Sequence, residues 1–204
     1  MKAAVLAAAV LLLSACSQAP KTTENTSSSS DTTPAAPTGP VPAKTAFWEM
    51  YKPARQWATD LLPLTVVSKE IPGMKNEDGK AAMWQVTFAS ASRQEARTFT
   101  YAVAAHSPDI YKGVTIGNSL PWAGPTRQLI PFQISEYAVD SDAAFKTATT
   151  QAADWLKTHP GETATMTLQD TARFPGPVWY ILWGSAKSGY QALVSASTGT
   201  ALGK

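Results

Sequence analysis

Two stretches of the chain, 95 residues apart, carry the same alternation: Trp84, Val86, Phe88, Ser90 and Ala91 reappear as Trp179, Ile181, Trp183, Ser185 and Ala186. Large apolar residues at every second position line one face of a strand, because successive side chains point to opposite sides. Each stretch has a returning strand, with Phe99, Tyr101 and Val103 in the first case and residues 190–196 in the second. Each therefore reads as a hairpin with one apolar face, and such a face has to be covered. The cover lies upstream, where Ala54 and Trp57, and again Ala152 and Trp155, share an Ala-x-x-Trp spacing inside helix-like runs. Helix, strand and hairpin in the same order twice are the mark of a duplicated unit. The expected fold class is α+β, with two repeated units, each one helix packed on a small antiparallel sheet.

The first helix places Phe47, Met50, Tyr51, Ala54, Trp57, Ala58 and Leu61 on one face, and Pro53 marks either its start or a kink. A strand follows Pro63 and ends at Ile71, Pro72 and Gly73; residues 76–79 read as a turn. The first hairpin pairs residues 83–89 with 98–105 around a loop at 90–97. In the second half, Asp140, Ser141 and Asp142 are start signals for a helix that His159, Pro160 and Gly161 stop. Residues 164–168 alternate as a strand, and the second hairpin turns at Lys187, Ser188 and Gly189. The units span residues 46–117 and 134–204, joined by a segment at 118–133.

Cys16 is the sole cysteine, so no internal disulfide can form. It follows Lys2, an apolar run at residues 3–13, and the small residues Ser14 and Ala15. The run is too short to span a bilayer core, which needs about 20 apolar residues. This pattern resembles the lipobox of bacterial lipoproteins, and the resemblance implies that residues 1–15 are a signal peptide and that Cys16 is lipidated after cleavage. Ser17 beside it implies an outer-membrane destination within the bacterial envelope. Residues 16–45 then read as a disordered tether, since residues 17–45 hold five Ser, seven Thr and five Pro and only Val41 as a large aliphatic. Beyond the signal, sixteen basic residues face fifteen acidic ones, a balance that excludes a nucleic-acid binder relying on a basic face.

The carboxy-terminal half resembles the PepSY domain: an Ala-spaced helix from Asp142, then Pro177, Val178 and Trp179, then a hairpin into Val194, Ser195, Ala196, Ser197, Thr198 and Gly199. The family usually carries an aspartate shortly before the Thr and Gly, where this chain has Ala196 and Ser197. The amino-terminal half resembles it more remotely, with Ser107 and Pro108 in place of the Thr and Gly. The resemblance implies a noncovalent binding module, as in propeptides that restrain secreted metallopeptidases, and no catalyst.

His106, Ser107 and Asp109 are residue types of a nucleophilic triad, but neighbours at a strand end cannot converge on one reacting centre. His106 and His159 are the only histidines and make no recognisable zinc set; His159 suits a helix cap. Glu77 and Asp78 lack the spacing of a calcium loop. No catalytic residue, metal or cofactor is expected. Six of the seven tryptophans fall on apolar faces, where core packing explains them. Trp122 lies instead in the inter-unit segment with Arg127, as a partner anchor or as a plug between the units. The expected function is a lipid-anchored envelope protein, held at the membrane by its lipid, that binds a protein or cell-wall partner or restrains a protease. The alternatives are a structural or assembly lipoprotein of an envelope complex and, behind it, an enzyme of unrecognised type.

Overall fold

The computed structural model describes residues 37–203; Cys16, the signal at 1–15 and the tether as far as residue 36 lie outside the described residues. The element order is α1 (Ala43–Trp57), β1 (Leu62–Lys69), β2 (Met83–Ser90), β3 (Glu95–Ala102), β4 (Gly113–Pro121), a 3-10 turn (Ile134–Glu136), α2 (Ser141–Gln151), α3 (Ala153–Thr158), β5 (Ala164–Gln169), β6 (Val178–Trp183), β7 (Tyr190–Ser195) and β8 (Ala201–Leu202).

The eight strands form one antiparallel sheet in the order β4-β3-β2-β1-β5-β6-β7-β8. Two separate small sheets were expected. The difference lies in the pairing of β1 with β5, where Thr65, Val66 and Val67 lie opposite Gln169, Leu168 and Thr167. Each strand would otherwise be the unpaired edge of its own four-strand ribbon, and the pairing satisfies both edges. One core results, and the three helices pack on one face of the sheet. Trp84, Val86, Phe88 and Phe99 are buried there from one half, and Leu168, Trp179, Ile181 and Val194 from the other.

The sheet's other face follows from the register. One row crosses all eight strands through Thr115, Thr100, Gln85, Val67, Thr167, Tyr180, Leu193 and Leu202. Along each strand these positions alternate with the residues of the helix-covered side, and Leu193 in this row is itself buried, 2% exposed.

Helix α1 begins at Ala43, inside the stretch read as tether, and runs through Pro53 rather than starting at it. Val41 is 5% exposed and exchanges backbone hydrogen bonds of 3.0 Å with Ala81. The folded part thus includes residues 41–45, because Val41 fills a place in the core and completes a short backbone ladder. No side chain of its own caps α1. The caps come from the start of α2: the Ala43 N–H donates to Ser141 Oγ at 2.9 Å and the Lys44 N–H to Asp140 Oδ1 at 2.9 Å. Asp140 Oδ1 also accepts from the Ser141 N–H at 2.7 Å and the Tyr137 hydroxyl at 3.2 Å. One carboxylate therefore serves the first turns of two helices. Burial raises the Tyr137 phenol well above its ordinary range, and the charge of Asp140 pushes it the same way.

Other boundaries shift for local reasons. The β2–β3 loop is four residues, 91–94, because Ala96 and Arg97 pair with Ala89 and Phe88 despite their weak alternation. Trp48 is 46% exposed on the outer side of α1, contrary to its assignment to a core face; its ring meets Phe47 and Tyr51 edge-on. His159 caps α3 as expected, with Nδ1 3.0 Å from the Trp155 carbonyl oxygen and its ring stacked on Trp155 at 4.0 Å.

Candidate functional site

Strand β4 falls in a stretch that no periodicity marks, and it forms one edge of the sheet with β3 as its single neighbour. Its nine residues, GVTIGNSLP, include no charged side chain. Edge strands are commonly blunted by charge, and this one is not. Three of the four large hydrophobics most exposed among the described residues lie on it or just before it: Tyr111 at 65%, Ile116 at 46% and Leu120 at 66%. The β4 edge is therefore at once open in its backbone, uncharged and apolar.

A bulge shapes this edge. Ile116 lies opposite Phe99 and Ser119 opposite Arg97, so Gly117 and Asn118 together face Thr98. A Cβ on Gly117 would stand 3.0 Å from the Thr98 carbonyl oxygen, so the close approach calls for glycine. Arg97 Nε donates to the Gly117 carbonyl at 2.8 Å and holds the bulge. Ile116 thereby shares the helix-covered side with Phe99, whereas Leu120 sits beside Ala96 on the other side.

Trp122 follows β4 directly. Its N–H donates to the Gln94 carbonyl at 2.9 Å and carries the pairing one step past Pro121. The side chain is half-buried and belongs to no part of the core cluster. Arg127 is exposed, and its carbonyl accepts the Ala172 N–H at 2.9 Å. Among the described residues, no ring or cation contact joins Trp122 to Arg127. The aromatic that fills the junction is Phe132, 1% exposed, whose N–H donates to the Pro63 carbonyl at 3.1 Å. Sequence reading passed over it, because a lone Phe between Pro131 and Gln133 has no periodic partner.

The other polar clusters are structural. His106 and Ile110 exchange backbone hydrogen bonds of 2.9 and 3.0 Å, which makes residues 106–110 a closed turn. Glu77 and Lys80 close a similar turn. A cleft of about 210 Å³ lies where β1 and β5 diverge, lined by Ser68, Glu77, Lys80, Phe145 and Glu162. The buried Ser68 hydroxyl accepts the Met166 N–H there at 2.8 Å. Asp60 ties the end of the first helix to the β2–β3 turn, accepting from Ser90 Oγ at 2.6 Å and from the Ser92 N–H at 2.8 Å. These bonds lower its carboxyl to about 2, the Ser90 hydroxyl contributing most. Asp170 moves the other way, raised chiefly by burial. Among the described residues, no group of three His, Cys, Asp or Glu side chains could hold a metal ion. No described helix is long and apolar enough to cross a membrane.

The molecule is an α+β protein with one continuous antiparallel sheet, three helices on it and, among the described residues, one uncharged sheet edge at β4. No family model matches the chain, and no curated protein matches it. Among solved structures it is similar to a crystal structure of a putative lipoprotein from Clostridium difficile 630, at 9% identity, over 81% of this chain and 91% of that one, with a TM-score of 0.47. A likeness of that size concerns the general course of the backbone and carries no residue or activity from that protein to this one.

Proposed function

We propose that this protein is a lipid-anchored component of the bacterial envelope that binds another polypeptide noncovalently, taking an extended segment of it as an added strand along β4. The observation that carries this reading is the β4 edge, which offers unpaired backbone over nine uncharged residues with Ile116 and Leu120 exposed beside it. Strand addition draws affinity from main-chain hydrogen bonds and selectivity from side chains that flank the edge. Trp122 lies at the end of the same edge and is suited to the flanking role. The anchor is Cys16, and Ser17 favours the outer membrane. A restrained protease is one partner that this geometry would serve.

The same reading treats the two halves as copies of one helix-plus-four-strand unit. Its support is the sheet order, which sets the strands after α1 on one side of the β1–β5 seam and those after α2 and α3 on the other. Trp84 and Trp179, at matching places in β2 and β6, also make matching bonds.

A photo-crosslinking residue placed at Leu120 in the intact envelope tests strand acceptance. It is expected to capture one partner along a short contiguous peptide, and Leu120→Lys is expected to lose that partner. Undiminished recovery with Leu120→Lys would overturn the reading.

A further inference from the structure

The register of the sheet brings two rows of apolar residues to the β4 edge, and they arrive on opposite faces. On the helix-covered side a row runs from Ala201 on β8 through Trp179, Leu168, Val66 and Phe99 to Ile116 on β4. Every member between those two ends is 0% exposed, whereas Ile116 is 46% exposed. On the other face Leu62, Ala89, Ala96 and Leu120 stand side by side from β1 to β4. Ala89 in that row is 2% exposed and Leu120, at its end, 66%. Neighbours along such a row have Cβ atoms about 4.5–5.5 Å apart and pack on one another, so each row ends at β4 on a side chain that lacks its outer neighbour.

The bulge sets how these two row ends are spaced. Ile116 and Leu120 are four positions apart on β4 yet lie on opposite faces, because Gly117 and Asn118 together take one step of the alternation opposite Thr98. Strand β3 shows what a regular neighbour then has to present: the residues facing Ile116 and Leu120 are Phe99 and Ala96, three apart.

We propose that the segment accepted along β4 is selected by two apolar side chains three residues apart, one on each face of the added strand. This rests on the strand-addition reading and names the class of partner: an extended peptide of the pattern apolar-x-x-apolar. One apolar side chain extends the core row beyond Ile116, and the other extends the Leu62–Ala89–Ala96 row beyond Leu120. The two residues between them are polar. One faces Gly117 and Asn118, in line with Thr98 and Thr87, whose hydroxyls bond to each other at 2.9 Å. The other faces Ser119, in line with Arg97. The spacing is the same whether the added strand runs parallel or antiparallel to β4. An ordinary amphipathic strand, with its apolar residues two or four apart, puts both on one face and leaves either Ile116 or Leu120 beside a polar side chain.

The test uses the full lipidated chain held in nanodiscs and a series of labelled peptides of threonine and serine with a lysine at each end. Each peptide carries two leucines, placed two, three or four residues apart, and binding is read by fluorescence anisotropy. The peptide with leucines three apart is expected to bind about tenfold more tightly than the other two, as the burial of one further leucine side chain implies. Ile116→Lys and Leu120→Lys are each expected to remove that advantage while thermal melting still reports a folded chain. If either variant does not fold, the three peptides on the native chain decide alone. Equal binding of the three spacings, a preference for two or four, or binding by none of them would overturn the proposal. Whether β4 accepts a strand at all is decided by photo-crosslinking at Leu120 in the envelope. A partner segment captured there without an apolar pair three apart would remove this inference and leave strand addition standing.

Discussion

The indoles of Trp84 and Trp179 meet edge to face at the centre of the core, with ring centroids 6.3 Å apart and planes at 69°. Each donates its N–H to a carbonyl two residues before a helix: Trp84 Nε1 to Val41 at 2.9 Å, ahead of Ala43, and Trp179 Nε1 to Val139 at 3.0 Å, ahead of Ser141. Each tryptophan thus packs on the other half while fixing where its own helix enters. Truncating either to Ala is expected to cost about 3–5 kcal/mol, the range for a core aromatic. Trp84→Phe keeps most of the ring but removes one of the two hydrogen bonds the Val41 carbonyl accepts, the Ala81 N–H keeping the other, at a cost of about 0.5–1.5 kcal/mol. Urea unfolding of the two single variants and the double variant checks this. The double variant should depart from additivity, because the rings touch.

Gly79 is expected to tolerate no side chain. It has φ +74°, and a Cβ there would lie 2.5 Å from the Ser141 carbonyl oxygen and 2.7 Å from Asp142 Cα. These are backbone atoms of the first turn of α2, the turn whose Asp140 and Ser141 cap α1. Gly79→Ala should therefore disturb two helix starts and cost at least about 1–3 kcal/mol, the range for overpacking. A melting temperature within a degree of the native protein would contradict this.

These two cases show where the sequence was legible. The β6–β7 hairpin could be read directly, because Val178, Trp179, Ile181 and Trp183 are all buried and their partners alternate within a few residues along the chain. The start of α1 could not, because its caps arrive from 96 and 98 residues away. Strand β4 was hidden for a different reason. It buries no side chain fully and packs only Val114 against the core, so it has no alternation, and its two glycines and Pro121 read as breakers. The candidate site therefore lay largely in the part of the chain with the weakest local pattern, and only Trp122 at its end was singled out. The single sheet was hidden as well, since the β1–β5 pairing is a long-range choice between edges.

Stability should fall in acid through Asp60. Its folded carboxyl, at about 2, lies below the ordinary 3.8, so the bonds to Ser90 and Ser92 contribute fully above about pH 4 and are lost as pH falls through 2. Asp60→Ala should lower the urea midpoint at pH 6 and match the native protein increasingly well towards pH 2. A difference that stays constant over that window would remove Asp60 as the source.

Cys16→Ser should abolish fatty-acid labelling and leave unprocessed or misplaced precursor, because the thiol accepts the first lipid group. Labelling of this variant at the native level would refute the anchor. Loss of labelling with unchanged thermal melting of the folded part would show that anchoring and folding are separate.

Trp122 separates binding from packing at the β4 edge. Its side chain is half-buried outside the core, and its one recorded hydrogen bond, to the Gln94 carbonyl, uses the backbone N–H that alanine keeps. Trp122→Ala should therefore change stability by no more than about 1 kcal/mol, near the centre of the distribution for single substitutions. Phe132→Ala, which empties the buried junction, should cost about 3–5 kcal/mol and serves as the packing reference. If Trp122 flanks the added strand, its loss should weaken partner capture by at least about 2 kcal/mol, roughly thirtyfold, the threshold for an interface hot spot. Melting that falls as far as in Phe132→Ala would make Trp122 a packing residue. Native melting with undiminished capture would leave the edge to Ile116 and Leu120, and recovery of the partner with Leu120→Lys as well would exclude β4 as the docking strand.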